Sequence, residues 1–369
     1  MAEPNAPPRK SIILVGVGNI GSHAAPLLAR FGELAEMRII DPESYEEKNL
    51  SSMDVEVGDL GKPKAVVQAA RLGRIRPALR VEAIVDRVEN VPLAKLRGDV
   101  IVAGLDSRAA RRYLGQAAWR LGVPWVDAAV LSAALLARIS VFAPGPPEAP
   151  CYECSWEYPR SYQTQEQRLA CLDGEYNTPA TNGVACVGSF VGSLQAIEAL
   201  KILGGRLAET VVGRQVYADL AHHQYYVTAF RRNPDCKFNH QVWEMAKAPL
   251  GELTIGRALD PGFLGDGRAE GLRVEGQAFV TEMMCRGCGR RHPLLRLEPR
   301  LHPDARTCPC CGKEAVPFGF SMRDELEAAA LSEGDLARPL SDLGFQVGDV
   351  FTVYRTGEEA HVEIVGETV

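Results

Sequence analysis

Cysteine is missing from the first 150 of 369 residues; all ten cysteines come later. A disulfide framework spanning the whole chain is thereby excluded, and the Cys-x-x-Cys pairs of the second half read as metal ligands before disulfides. Basic residues are not in excess, since 41 Lys and Arg stand against 47 Asp and Glu for a net charge of -6. Duplex binding needs a basic face to neutralise phosphates, so a dedicated nucleic-acid role is set aside. No uninterrupted apolar run approaches the ~20 residues of a membrane span. Residues 1–10 (MAEPNAPPRK) hold no apolar stretch ahead of a cleavage site. The expectation is a cytoplasmic chain with no membrane partner.

What the chain does have is 46% hydrophobic and 24% charged residues, enough for a sizeable core and too apolar for global disorder. At ~100–200 residues per domain its length predicts two or three domains. Residues 11–16 (SIILVG) form an apolar run suited to a strand buried on both faces of a parallel sheet. Helical patterns over 22–31, 65–72 and 108–121 alternate with strand patterns over 37–40, 81–85, 99–105 and 124–129. That alternation predicts an α/β fold with a doubly wound, Rossmann-like, mostly parallel sheet. Residues 137–143, 215–220 and 225–229 read as further strands, and the apolar run 184–203 as a buried helix. The polar stretch 156–183 reads as a long functional loop. Residues 241–280 read as a connector, 281–316 as a cysteine-bearing module, and 317–369 as a small α+β tail with a helix over 323–331 and strands around 345–354.

Gly16-x-Gly18-x-x-Gly21 follows a strand and opens a helix, and Asp41 stands 20 residues past Gly21 at the end of the next strand. Such glycines permit a tight turn and close backbone approach of phosphates to a positive helix N-terminus, while the acid accepts from ribose hydroxyls. A dehydrogenase would account for these features and leave the later ones unused: Glu43, Asn49-Leu50, Gly61-Lys62-Pro63-Lys64, Asp106 and Arg111.

With GVGNIG (16–21), IIDPE (39–43), NL (49–50), GKPKA (61–65), LDSRAAR (105–111), CYEC (151–154) and SLQAIEALKIL (193–203) in this order, the chain resembles the ThiF/MoeB-type adenylyltransferases, relatives of the ubiquitin-activating enzymes. The resemblance spans residues 11–240, about two-thirds of the chain. It implies an adenylation domain over 1–240 that binds ATP and magnesium and adenylates the C-terminal glycine of a ubiquitin-like or sulfur-carrier protein. It further implies a homodimer and, if a conjugation route follows, a conjugating enzyme as partner. By this resemblance Gly16, Gly18, Asn19, Gly21, Asp41 and Glu43 line the nucleotide, Lys64 contacts the phosphates, Asn49 binds ribose or phosphate, Asp106 holds magnesium, and Arg111 binds phosphate or orients Asp106. Cys171 lies near the place of the family's reactive cysteine; an accessible thiolate there could form a thioester. Cys186 falls in the apolar helix, where a cysteine is an inert hydrophobe. The chain departs from the family where Ser51-Ser52-Met53 replaces an Arg-Gln pair, and where ten residues stand in place of an arginine-bearing N-terminal helix. The alternative within the family is a sulfur-carrier enzyme of cofactor biosynthesis; outside it, an NAD-dependent oxidoreductase or a non-catalytic scaffold.

Cys151-x-x-Cys154 is one half of a tetrahedral site, and the family's second pair is represented here by Cys236 and His240, a structural zinc set of three cysteines and a histidine. Cys285-x-x-Cys288, 19 residues, then Cys308-x-x-Cys311 has zinc-ribbon spacing, with Gly287, Gly289 and Gly312 supplying the turns. Cys310 is an alternative fourth ligand; His292 and His302 read as bystanders. The run from Pro339 to Tyr354 (PLSDLGFQVGDVFTVY) resembles the end of ubiquitin-like folds.

Overall fold

The computed structural model describes residues 10–156, 184–260, 262–265 and 267–366. Cys171, and the expected loop 156–183 apart from Trp156, lie outside the described residues. The chain divides into two units, one from residues 10–88 and 96–242, the other from 89–95 and 243–366.

In the first unit the strands are β1 (Lys10–Val15), β2 (Leu34–Ile40), β3 (Arg80–Ile84), β4 (Val100–Ala103), β5 (Trp125–Leu131), β6 (Leu136–Phe142), β7 (Arg214–Asp219) and β8 (Gln224–Ala229). They form one sheet in the order β3-β2-β1-β4-β5-β6-β7-β8. The first five run parallel and the last three antiparallel. The centre of the sheet is where the sequence is apolar without alternation, because strands covered on both faces have no wet side. Ile12, Ile13 and Leu14 of β1 and Val100, Ile101 and Val102 of β4 are fully buried. The covering helices are α1 (Asn19–Leu28), α2 (Lys64–Ile75), α3 (Arg108–Arg120) and α4 (Ala185–Leu203). Leu28, Leu72 and Leu203 close the core over Ile12, Leu14, Met37 and Val102.

By length and composition α4 could cross a membrane, although Gln195, Glu198 and Lys201 interrupt its apolar run. Half of that stretch is buried, against the sheet and against α1. Gln195 is fully buried, and its Nε2 donates to the carbonyls of Ala103 at 2.8 Å and Val126 at 3.0 Å, tying the helix to β4 and β5. Gly188 and Gly192 let α4 approach α1: a Cβ at 188 would lie 1.8 Å from Asn19 Oδ1, and one at 192 would lie 3.1 Å from the Ile20 carbonyl oxygen.

The second unit holds β9 (Met245–Pro249), α5 (Ile255–Leu259), β10 (Gly271–Arg273), β11 (Phe279–Cys285), β12 (Arg291–Leu297), β13 (Ala315–Pro317), β14 (Met322–Arg323), β15 (Glu325–Glu327), α6 (Glu333–Leu336), β16 (Val350–Arg355) and β17 (Glu358–Val365). One sheet runs β15-β10-β16-β17-β9 and a smaller one β12-β11-β13, with β14 also on β11. Phe279, Leu297, Phe345, Phe351, Val362 and Ile364 share a core. Residues 241–280 therefore supply strands rather than a bare connection. The tail strands β15, β16 and β17 share one sheet with β9 and β10, while β14 joins β11, so the tail does not form a separate fold. The helix expected over 323–331 is corrected: β14, β15 and a 3-10 turn at Ala328–Ala330 occupy it. Leu326 pairs antiparallel with Leu272 and is buried, so long-range pairing overrides the helical propensity of DELEAAAL.

Candidate functional site

The glycine turn joins β1 to α1, and its three glycines do different work. Gly16 has φ +82°, and a Cβ there would meet the Gly104 carbonyl oxygen at 2.7 Å; a Cβ on Gly21 would lie 2.0 Å from the Gly16 carbonyl oxygen. These two allow the turn to close against the end of β4. Among the described residues the nearest atom to a Cβ at Gly18 is Met53 Cε at 3.7 Å, so the space around it is open. Gly18 is also the N-cap of α1, with no side chain capping it. Backbone N–H groups at an uncapped, open helix start suit a phosphate.

Asp41 follows β2 and is buried. Its Oδ2 accepts the Val17 N–H at 2.8 Å and its Oδ1 the Glu43 N–H at 2.9 Å. The acid thus braces the turn, while each oxygen keeps a lone pair for a further donor. Burial pushes its carboxyl above the usual carboxylate range, against the pull of those two N–H groups. Lys64 opens α2 and is only 3% exposed, with Nζ 2.5 Å from Glu43 Oε2; the Glu43 side chain is 65% exposed. Asn49 is buried and caps the 3-10 turn Glu47–Ser51, its Oδ1 accepting the Glu46 N–H at 2.8 Å. Among the described residues, both atoms of the Asn19 side-chain amide are buried with no hydrogen-bond partner, so the amide asks for one. Leaving such a group unmade costs on the order of 1–3 kcal/mol. An open Gly18, an unsatisfied Asn19 amide, spare lone pairs on Asp41 and a buried lysine together fit a nucleotide phosphate and ribose.

Asp106 lies exposed beyond β4, and the next residue, Ser107, caps α3 by accepting the Ala110 N–H at 3.3 Å. An exposed carboxylate at the sheet's C-terminal end fits one oxygen ligand of a magnesium ion. Arg111 is turned inward. Its Nε donates to Asp127 Oδ1 at 2.9 Å, and its guanidinium also bonds the carbonyls of Leu105 and Ala128. Arg111 thereby holds the peptide unit just before Asp106. Sequence reading passed over Asp127, which is fully buried and takes Arg138 on its other oxygen at 2.6 Å. The available signal was a lone acid inside the apolar strand WVDAAVL. Gly188 was also passed over, for want of any local sign.

The first cysteine group assembles Cys151, Cys154, Cys236 and His240 with all ligand atoms within 4.8 Å of one another. Cys151 Sγ lies 3.8 Å from Cys154 Sγ and 3.7 Å from Cys236 Sγ, and Cys154 Sγ lies 3.3 Å from His240 Nε2. Tetrahedral zinc with Zn–S ~2.3 Å spaces its sulfurs by about 3.8 Å. His240 Nδ1 sits 2.6 Å from the Phe238 carbonyl oxygen, which can only accept. The proton therefore belongs on Nδ1 and the Nε2 lone pair faces the sulfurs, as a zinc ligand requires. In the second group Cys285, Cys288, Cys308 and Cys311 likewise lie within 4.8 Å. Cys285 Sγ accepts the Gly287 N–H at 3.2 Å and Cys308 Sγ the Cys310 N–H at 3.4 Å. Gly289 and Gly312, both at φ +69°, end the two matching turns. Both donor sets fit zinc. His292, read as a bystander, has Nε2 3.4 Å from Cys308 Sγ.

The profile of the ThiF family matches residues 8–238. The chain belongs to the ThiF family. It is 30% identical over 229 residues to the SAMP-activating enzyme E1 of Haloferax volcanii, covering 61% of this chain and 78% of that protein. It is 28% identical over 228 residues to the sulfur carrier protein ThiS adenylyltransferase of Escherichia coli, covering 61% and 84%. Among solved structures, E. coli MccB with succinimide superposes with a TM-score of 0.51 at 20% identity, over 62% of this chain and 66% of that one, a likeness of fold. The chain is thus a ThiF/MoeB-type adenylyltransferase by family, and the glycine turn at residues 16–21 lies within the matched span.

Proposed function

We propose that this ThiF-family enzyme uses ATP to adenylate the C-terminal glycine of a ubiquitin-like or sulfur-carrier protein. The observation that carries the reading is the unsatisfied Asn19 amide beside the open Gly18 turn, flanked by Asp41 and Lys64. The partner's terminal carboxylate attacks the α-phosphorus, a P–O bond to the β-phosphate breaks, and pyrophosphate leaves. Negative charge builds on the phosphoryl oxygens, where the α1 N–H groups and the Lys64 ammonium stabilise it. Lys64 engages by exchanging the Glu43 carboxylate for phosphate oxygens, and Glu43 is exposed enough to swing away. Asp41 keeps the turn shaped and accepts from the ribose. Asp106 supplies a carboxylate for magnesium, whose charge offsets that of the triphosphate. Arg111, clamped by Asp127, holds Asp106 in place.

The relatives' names include both a SAMP-activating enzyme and a ThiS adenylyltransferase, and both support this class of partner. In the conjugation branch, Cys171 attacks the acyl-adenylate, a thioester forms and AMP departs, after which a conjugating enzyme accepts the acyl group. A homodimer in the cytoplasm is part of the same reading. The test is partner-dependent ATP–pyrophosphate exchange. Asp106→Ala is expected to lower it ~100-fold or more; exchange untouched by the substitution, or tight NAD binding with no pyrophosphate release, overturns the reading. Cys171→Ala is expected to abolish a reducible conjugate while sparing exchange.

A further inference from the structure

The second cysteine group carries more ligand atoms than one tetrahedral ion uses. Cys285, Cys288, Cys308 and Cys311 complete one set. Cys310 is left over, exposed on the same turn, with Arg290 Nη1 3.3 Å from its sulfur. His292 stands on β12 in register with Met283 of β11, so its position is fixed by the ribbon's own hydrogen bonding. That register brings its Nε2 to 3.4 Å from Cys308 Sγ. His292 Nε2, Cys308 Sγ and Cys310 Sγ all lie within 4.8 Å of one another. A zinc-class ion with bonds of ~2.05 Å to nitrogen and ~2.3 Å to sulfur sets the N···S separation at about 3.6 Å, close to that of the His292–Cys308 pair.

We propose that the ribbon binds a second ion of the zinc class on His292, Cys308 and Cys310, with the Cys308 thiolate shared between the two ions. The charges favour it. One divalent ion on four thiolates leaves a net charge of -2. The second ion adds +2 and the Cys310 thiolate -1, so the pair carries -1, which faces the Arg290 cation. Cys308 is already a thiolate on the first ion and His292 binds in its neutral form. Loading the second ion therefore releases one proton, from Cys310. Three protein ligands leave the fourth position open to water or an exogenous thiolate, which distinguishes this ion from the closed structural set beside it.

The competing arrangement is a hydrogen bond from the His292 N–H to the Cys308 thiolate, with Arg290 alone on Cys310. Full-length protein is stripped with chelator, titrated with Zn2+, desalted and counted for zinc, beside Cys310→Ser and His292→Asn. Asparagine keeps a donor for the Cys308 sulfur and loses the imidazole ligand. Each variant is expected to hold about one zinc fewer per chain than the parent, and its Co2+ form to lose the corresponding thiolate-to-metal absorption. Variants that keep the parent's zinc count overturn the second site, and Cys310, being exposed, can be replaced without unpacking the ribbon.

Discussion

Two carboxylates govern the site, and they do so by opposite means. Asp127 is fully buried, and its charge is balanced by Arg111 and Arg138. Removing it strands two largely buried guanidinium groups, so Asp127→Ala is expected to cost about 3–5 kcal/mol, read from urea unfolding midpoints. A change below about 1 kcal/mol would show that the clamp on Arg111 carries no stability. Among the described residues Asp41 has no such cation in hydrogen-bonding contact; burial raises its carboxyl pKa in the folded state above the ordinary value. Its stabilising contribution is fully present below the unfolded pKa and is lost as pH rises through the folded one. Asp41 by itself therefore contributes less to stability as pH rises above the ordinary carboxylate value. Asp41→Asn should flatten that part of the profile, as measured by thermal unfolding across the acid range.

At the scale of elements, the contact between α1 and α4 decides whether the turn keeps its shape. Gly188 faces Asn19 so closely that any Cβ must displace it. Gly188→Ala is expected to destabilise by about 1–3 kcal/mol, while Ser189→Ala, at an exposed position of the same helix, changes little. Nucleotide affinity should fall with Gly188→Ala, because the Asn19 amide is moved; equal affinity in a folded variant would remove Asn19 from the site. Elements also differ in how far they could be read in advance. β1 and β4 were legible because an unbroken apolar run has one good use in a parallel sheet. β15 was not, because its residues favour a helix locally and became a strand only by pairing with Leu272's strand. The same holds within the site. Asp41 announces itself by distance from the glycines, whereas Arg111's inward turn depends on an acid 16 positions away on a neighbouring strand.

At the scale of the whole molecule, the chain leaves the first unit after residue 88 and returns at residue 96. Within the second unit the Ala94 N–H donates to the Gly348 carbonyl at 2.9 Å, and Gln277 Nε2 to the Glu89 carbonyl at 3.0 Å. A chain ending at residue 242 retains every strand from β1 to β8 but deprives 89–95 of these partners. It is expected to keep ATP–pyrophosphate exchange while limited proteolysis cuts within 89–95 at least ~10-fold faster than in the full chain. Equal protection would mean that the segment is held by something other than the second unit. The succession of β1 to β8 along the chain, the glycine turn, the acid after β2 and the grouping of the cysteines were already written in local pattern, since period, spacing and ligand type act over a few residues. Which side chains stand beside Asp41, where Arg111 points, how close α4 comes to Asn19 and that His292 reaches Cys308 were settled only by packing. Those contacts join residues far apart in the chain, and no local propensity encodes the distance between them.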